Sequence, residues 1–98
     1  MDETNYKLYY DCDITNVKEY NSTILGMYNS CTELCDKDPK CSALMVEKGW
    51  YSNNQTAGYL LYKCSFKHLE TNTIYNTKSL NNYLINTYVK NNFISQIN

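Results

Sequence analysis

The chain has 98 residues, the length of one domain, and a formal charge of -1 from nine basic and ten acidic side chains, with every basic residue a lysine. A near-neutral chain without arginine is poorly suited to nucleic acid, because phosphate binding needs net positive surface and base-edge readout leans on the guanidinium fork. No run of 18 apolar residues is present, so no helical membrane span is expected.

A domain of this size buries only about 60–65 % of the surface its unfolded chain exposes, so its core is thin and disulfides commonly supplement it. Five cysteines are available. The wealth of Asn, Tyr, Lys and Ile with no Arg is the bias of an AT-rich genome, so the 11 tyrosines do not each require a function. Lys37, Lys40, Lys48, Lys63, Lys67 and Lys78 are expected to be solvated, as charges generally are.

Residues 1–5 have neither the basic nor the apolar region of a signal peptide. An oxidising setting would then come from processing of a longer secreted chain, or from a virus particle. From Tyr6 to Ile14 the alternation Tyr6, Leu8, Tyr10, Cys12, Ile14 has period 2 and predicts one half-buried strand with Cys12 on its apolar face. Val17 to Tyr28 reads as an irregular or short-strand connection around Gly26. Ser30 and Glu33 match a capping box that would start a helix at Cys31, and Pro39 disfavours helical geometry at Asp38 and stops it about two turns on.

Ser42 to Glu47 and Tyr59 to Phe66 read as two strands joined by a connection long for a hairpin. In the second, Leu60, Tyr62, Cys64 and Phe66 share a face. Beyond Leu80 the β-branched and aromatic content favours a strand. Residues 1–90 are therefore expected to form a single domain, and 91–98 a frayed or partner-dependent tail.

On a helix Cys31 and Cys35 are four residues apart, so both thiols project from one face and can staple it to a sheet. With Cys41 and Cys64 they allow three pairings, which spacing does not decide. Zinc fits less well, because the second half offers only Cys64 and His68 rather than a paired knuckle. His68, the only histidine, sits in polar sequence where an exposed imidazole is the default, and no base for a catalytic thiol accompanies it. No metal and no cofactor are expected. Since neither paired carboxylates nor a phosphate loop emerges, the chain is expected to be noncatalytic.

The run from Asn29 through Cys31, Cys35, Asp38-Pro39-Lys40-Cys41 and Ala43 to Val46, with Tyr62-Lys63-Cys64-Ser65-Phe66-Lys67 later, resembles the PAN/Apple domain family. In that family a Cys-x3-Cys helix precedes Asp-Pro-x-Cys, an Ala-plus-aromatic strand and a final Cys-x-Leu-Lys strand. The likeness spans roughly Tyr6 to Asn86, and its specific part lies in residues 29–67. It implies an α+β fold, an antiparallel sheet of about five strands cradling one short helix, with Cys31 bonded to Cys64 and Cys35 to Cys41. It also implies a binding module for protein or carbohydrate, extracellular or surface-displayed. Leu44 and Val46 stand where the family prefers aromatics, Phe66 replaces the usual Leu, and Ser79-Leu80 replaces the frequent Ser-Gly. The third bridge of the Apple subtype, which ties the chain ends, has no second cysteine here to pair with Cys12.

Cys12 is thus either a buried free thiol or the site of an intermolecular bridge. Trp50 and Tyr51, followed by Asn53 and Gln55, have the aromatic-plus-amide character of a glycan or protein contact, although Trp50 folded over a sheet edge would enlarge the core instead. Asn21 and Asn54 begin N-glycosylation sequons. A rival expectation is a coat or cement protein of a virus particle from an AT-rich lineage, self-associating through Cys12, the Tyr-rich faces and the C-terminal tail, the last adding a strand to a neighbour.

Overall fold

The period-2 segment at the start of the chain does not continue as one strand. Asp11 adopts a left-handed conformation (φ 53°), and the break divides the segment into β1 (Tyr6–Tyr10) and β2 (Cys12–Ile14). Tyr6 and Leu8 pack in one core, while Ile14, beyond the break, joins Tyr9 in another on the opposite side of the sheet. Asn16, Asn72 and Asn81 occupy the same left-handed region, which Asp and Asn tolerate better than other side chains. Several residues of the Asn-rich composition thus make turns.

The computed structural model describes residues 5–50 and 61–98. After β2 come β3 (Glu19–Leu25), helix α1 (Tyr28–Lys37), β4 (Ala43–Trp50), β5 (Leu61–Lys67), β6 (Thr77–Ser79), β7 (Ile85–Lys90) and a 3-10 helix, Asn91–Gln96. Five strands form an antiparallel sheet in the order β1-β7-β4-β5-β3, and β2 pairs with β6 in a separate two-stranded ribbon. The fold is α+β, with one α-helix laid across the sheet. Within Val17 to Tyr28, where an irregular or short-strand connection is expected, β3 is a seven-residue edge strand, bulged between Glu19 and Asn21.

The helix differs from its predicted start. It begins at Tyr28 with Met27 as N-cap, and no side-chain cap bond is made. Three residues further inside, the Ser30 amide already donates to the Met27 carbonyl (3.2 Å), so Glu33 has no free Ser30 amide to reach and the capping box does not form. The end is as Pro39 dictates: the helix stops at Lys37, and Asp38 is extended.

Two bridges fix α1 to the sheet. Cys31 is bonded to Cys64 of β5 (Cα–Cα 5.6 Å), and Cys35 to Cys41 at the entry to β4 (Cα–Cα 5.2 Å). All four cysteines are buried, in a core with Tyr6, Leu44, Val46, Phe66 and Tyr88 between helix and sheet. Tyrosines fasten the rim: Tyr6 donates to Asp36 (2.6 Å) and Tyr20 to Asp38 (2.5 Å). Burial, then the hydrogen bond to Asp36 or Asp38 and that carboxylate's charge, push both phenols well above their ordinary value. Tyr20 in turn holds the Asp38 carboxyl below the usual carboxylate range, assisted by the Lys40 amide.

A second core lies on the other face of the sheet, where Ile14, Ala43, Leu69, Tyr75 and Val89 pack together with Phe93, Ile94 and Ile97. The C-terminal segment, expected as a frayed or partner-dependent tail, therefore packs against its own chain. Its three apolar residues complete this core, and main-chain bonds Tyr75 N to Gln96 O and Asn98 N to Tyr75 O, both 2.7 Å, tie it down. Gln96 Nε2 also donates to the Glu70 and Thr73 carbonyls. Among the described residues no helix is long and apolar enough to cross a membrane.

Candidate functional site

Strand β5 places its residues alternately on the two faces of the sheet. Tyr62, Cys64 and Phe66 face the helix, so Lys63, Ser65 and Lys67 face away from it. On β4 the partners of those three are Glu47, Met45 and Ala43. Ala43 is covered by the second core, but Met45, Glu47, Lys63, Ser65 and Lys67 floor a solvent-open cleft of about 460 Å³. Its wall comes from Asp13 of β2, Glu19 of β3, and Val17 and Lys18 in the turn between those strands. The left-handed Asn16 reverses the chain there, and Thr15 holds the turn through two bonds to the Asn76 carbonyl, amide at 2.9 Å and hydroxyl at 3.0 Å.

Two groups on this floor are unusual. The Ser65 hydroxyl is buried, the residue being only 1 % exposed, and finds no hydrogen-bond partner among the described residues. An orphaned hydroxyl costs about 1–3 kcal/mol. Lys67 is 3 % exposed rather than solvated, and its ammonium is held by an ion pair to Asp13 Oδ1 at 2.5 Å. The same carboxylate oxygen accepts the Ile14 amide at 2.8 Å, which orients Asp13 toward Lys67. An ammonium carries three N–H donors, and Asp13 is its hydrogen-bond partner among the described residues. Buried ammonium and buried hydroxyl thus stand two residues apart on one strand face, about 7 Å between Cα atoms.

The residues singled out in the sequence fall elsewhere. Trp50 ends β4 and pairs with Leu61 across an irregularity at Gly49, where φ of +103° requires glycine. The Trp50 side chain, Tyr51, Asn53, Asn54 and Gln55 lie outside the described residues. Asn21 is exposed on edge strand β3, its side-chain Oδ1 accepting the Ser22 amide at 3.0 Å. Cys12 is a free thiol, 8 % exposed, and burial first, then the charges of Asp13 and Asp11, push its pKa up, away from the reactive thiolate. His68 is exposed, with Nδ1 2.9 Å from the Lys40 carbonyl. The four bridged cysteines have no thiolates to offer a metal, and among the described residues no other cluster of metal-ligating side chains is present.

The cleft itself was missed. Its sequence signal is the polar half of an alternation, Lys63, Ser65 and Lys67, whose apolar half places Tyr62, Cys64 and Phe66 toward the helix as expected, Leu60 lying outside the described residues. Periodicity assigns those three to one face, but only the packing of β2 against the sheet reveals that two of them are buried.

No protein-family model, no curated protein sequence and no solved structure matches this chain.

Proposed function

We propose that this chain is a noncatalytic recognition module of PAN type, binding protein or carbohydrate outside the cell or on the surface of a cell or particle. The observation that carries the reading is the Ser65 hydroxyl on the floor of an open polar cleft, without a hydrogen-bond partner among the described residues, because a buried hydroxyl without a partner is a group whose hydrogen bonds a ligand would complete. The bridges support it too. They join the cysteine pairs that the PAN resemblance implies, and such bonds persist in oxidising surroundings. They also anchor the helix on one face and leave the cleft free on the other. Asn21, exposed within its sequon, suits the same setting as an attachment point for a glycan.

The rival reading as a coat or cement protein draws less support, since Cys12 is buried and the C-terminal segment is packed against its own chain. The test is staining of intact cells with a fluorescent tetramer of the full chain. Saturable staining is expected, abolished by glycosidase treatment for a glycan ligand or by protease alone for a protein ligand. Absence of saturable staining across a panel of cell types overturns the recognition reading.

A further inference from the structure

We infer that the cleft beneath β2 binds a neutral saccharide unit, with the Ser65 hydroxyl and the Lys67 ammonium as its hydrogen-bonding floor. This rests on the recognition reading above and narrows it to one ligand chemistry at one site. Three lysines, Lys18, Lys63 and Lys67, line the cleft against three carboxylates, Asp13, Glu19 and Glu47. Attraction of an anion by the first set is offset by repulsion from the second, and the reverse holds for a cation, so the lining selects for neither sign.

What such a lining does suit is a ligand whose groups both donate and accept. A sugar hydroxyl can accept from the Lys67 ammonium, which has three donors and gives one to Asp13 among the described residues. It can take either role toward Ser65, whose hydroxyl has one proton and two lone pairs to satisfy. Its proton can go to a carboxylate of the wall. Sugars also present a face of C–H bonds. Met45, directly opposite Ser65 across the β4–β5 pair, and Val17 on the wall supply apolar surface for it. The volume, about 460 Å³, lies within the range of roughly 300–1,000 Å³ found for small-ligand sites. Because the cleft is open, the affinity for one unit should be weak, with Kd on the order of millimolar, and repeated presentation of the glycan would raise it by avidity.

The test is an amide-resolved NMR titration of the intact, disulfide-bonded chain with a panel of neutral probes: the methyl glycosides of glucose, galactose, mannose and N-acetylglucosamine, and the disaccharides lactose and maltose. Glucuronate is the charged arm. At least one neutral probe should shift the amides of Met45, Ser65 and Lys67 saturably. Ser65→Ala should weaken it about three- to tenfold, the loss of one neutral hydrogen bond. Ser65→Ala should not lower the melting temperature, because the hydroxyl it removes has no partner to lose among the described residues, so weakened binding cannot be ascribed to unfolding. The inference is overturned if no neutral probe shifts these amides up to about 50 mM, a concentration that would detect even feeble millimolar affinity. It is equally overturned if glucuronate binds in their place, or if Ser65→Ala leaves the affinity unchanged. Cell staining that survives glycosidase and is lost to protease would remove the saccharide while leaving the recognition reading intact.

Discussion

Removing the two bridges separately should have unequal consequences, and the structure sets the difference. The Cys31–Cys64 bridge spans 33 residues and Cys35–Cys41 spans 6. In the chain-entropy model, loops of those lengths correspond to about 3.7 and about 2.2 kcal/mol of stabilisation at 25 °C. Absolute values carry a contribution from the buried sulfurs, but all four cysteines are essentially inaccessible, so that contribution is similar in both pairs and largely cancels. What survives is 1.5RT ln(33/6), about 1.5 kcal/mol. Two double variants, Cys31→Ala with Cys64→Ala and Cys35→Ala with Cys41→Ala, would be compared by urea unfolding. A shared Cys12→Ala background leaves no free thiol to exchange into the remaining bridge. The long-loop variant should unfold at a urea concentration lower by about 0.5–1.5 M. Since a small domain is stable by only about 5–15 kcal/mol in all, that gap is readily resolved. Equal midpoints, or the short-loop variant falling further, would refute the view that these bridges act chiefly on the unfolded chain.

Asp13→Asn strands the Lys67 ammonium without its counter-ion and should cost about 2–3 kcal/mol, somewhat under the 3–5 kcal/mol of a fully buried pair because the Asp13 side chain is 29 % exposed. Lys67→Met removes the buried charge itself and should cost less in the same urea assay; the reverse order would refute an uncompensated buried ammonium as the source of the loss. Asp38 has a carboxyl lowered chiefly by Tyr20, so its contribution is present above the unfolded carboxylate pKa near 4 and is lost as pH falls through the folded value. Tyr20→Phe should accordingly flatten the acid side of a melting temperature against pH curve, and an unchanged acid limb would refute the coupling. Tyr6 and Tyr20, both raised, contribute stability that is fully present below about pH 10 and lost above it; absorbance titration at alkaline pH should find two phenols that ionise only as the chain unfolds. Cys12, buried with its pKa raised, should react with a thiol reagent only at the rate of opening, and non-reducing electrophoresis should show monomer; a reductant-sensitive dimer would overturn its assignment as an internal thiol.

Much of this was accessible before folding was considered, where the physics is local. Pro39 restricts the residue before it whatever surrounds it, so the helix had to end at Asp38. Alternation along Tyr62, Cys64 and Phe66 is a property of extended backbone, so their shared face followed from spacing. At the other end of the helix, Ser30 and Glu33 form a capping box only if the helix starts between Ser30 and Cys31. The observed start three residues earlier puts both inside the first turns, where the Ser30 amide is already bonded.

Long-range packing accounts for the rest. One left-handed residue, Asp11, turns a nine-residue alternation into two strands on different sheets. The apolar residues of the last segment find a core only because Ile14 of β2, Ala43 of β4, Val89 of β7, Leu69 and Tyr75 are brought together to form it. The sequence alone determined the place where the helix stops and the shared face of Tyr62, Cys64 and Phe66, because backbone sterics and strand periodicity act over a few residues, whereas the α+β class is what the PAN resemblance implies. Only the tertiary structure decided that Lys67 is buried against Asp13, 54 residues away, and that the Ser65 hydroxyl is buried with no partner among the described residues. Burial and charge pairing depend on which distant segments share space, and no local pattern along Lys63, Ser65 and Lys67 encodes that.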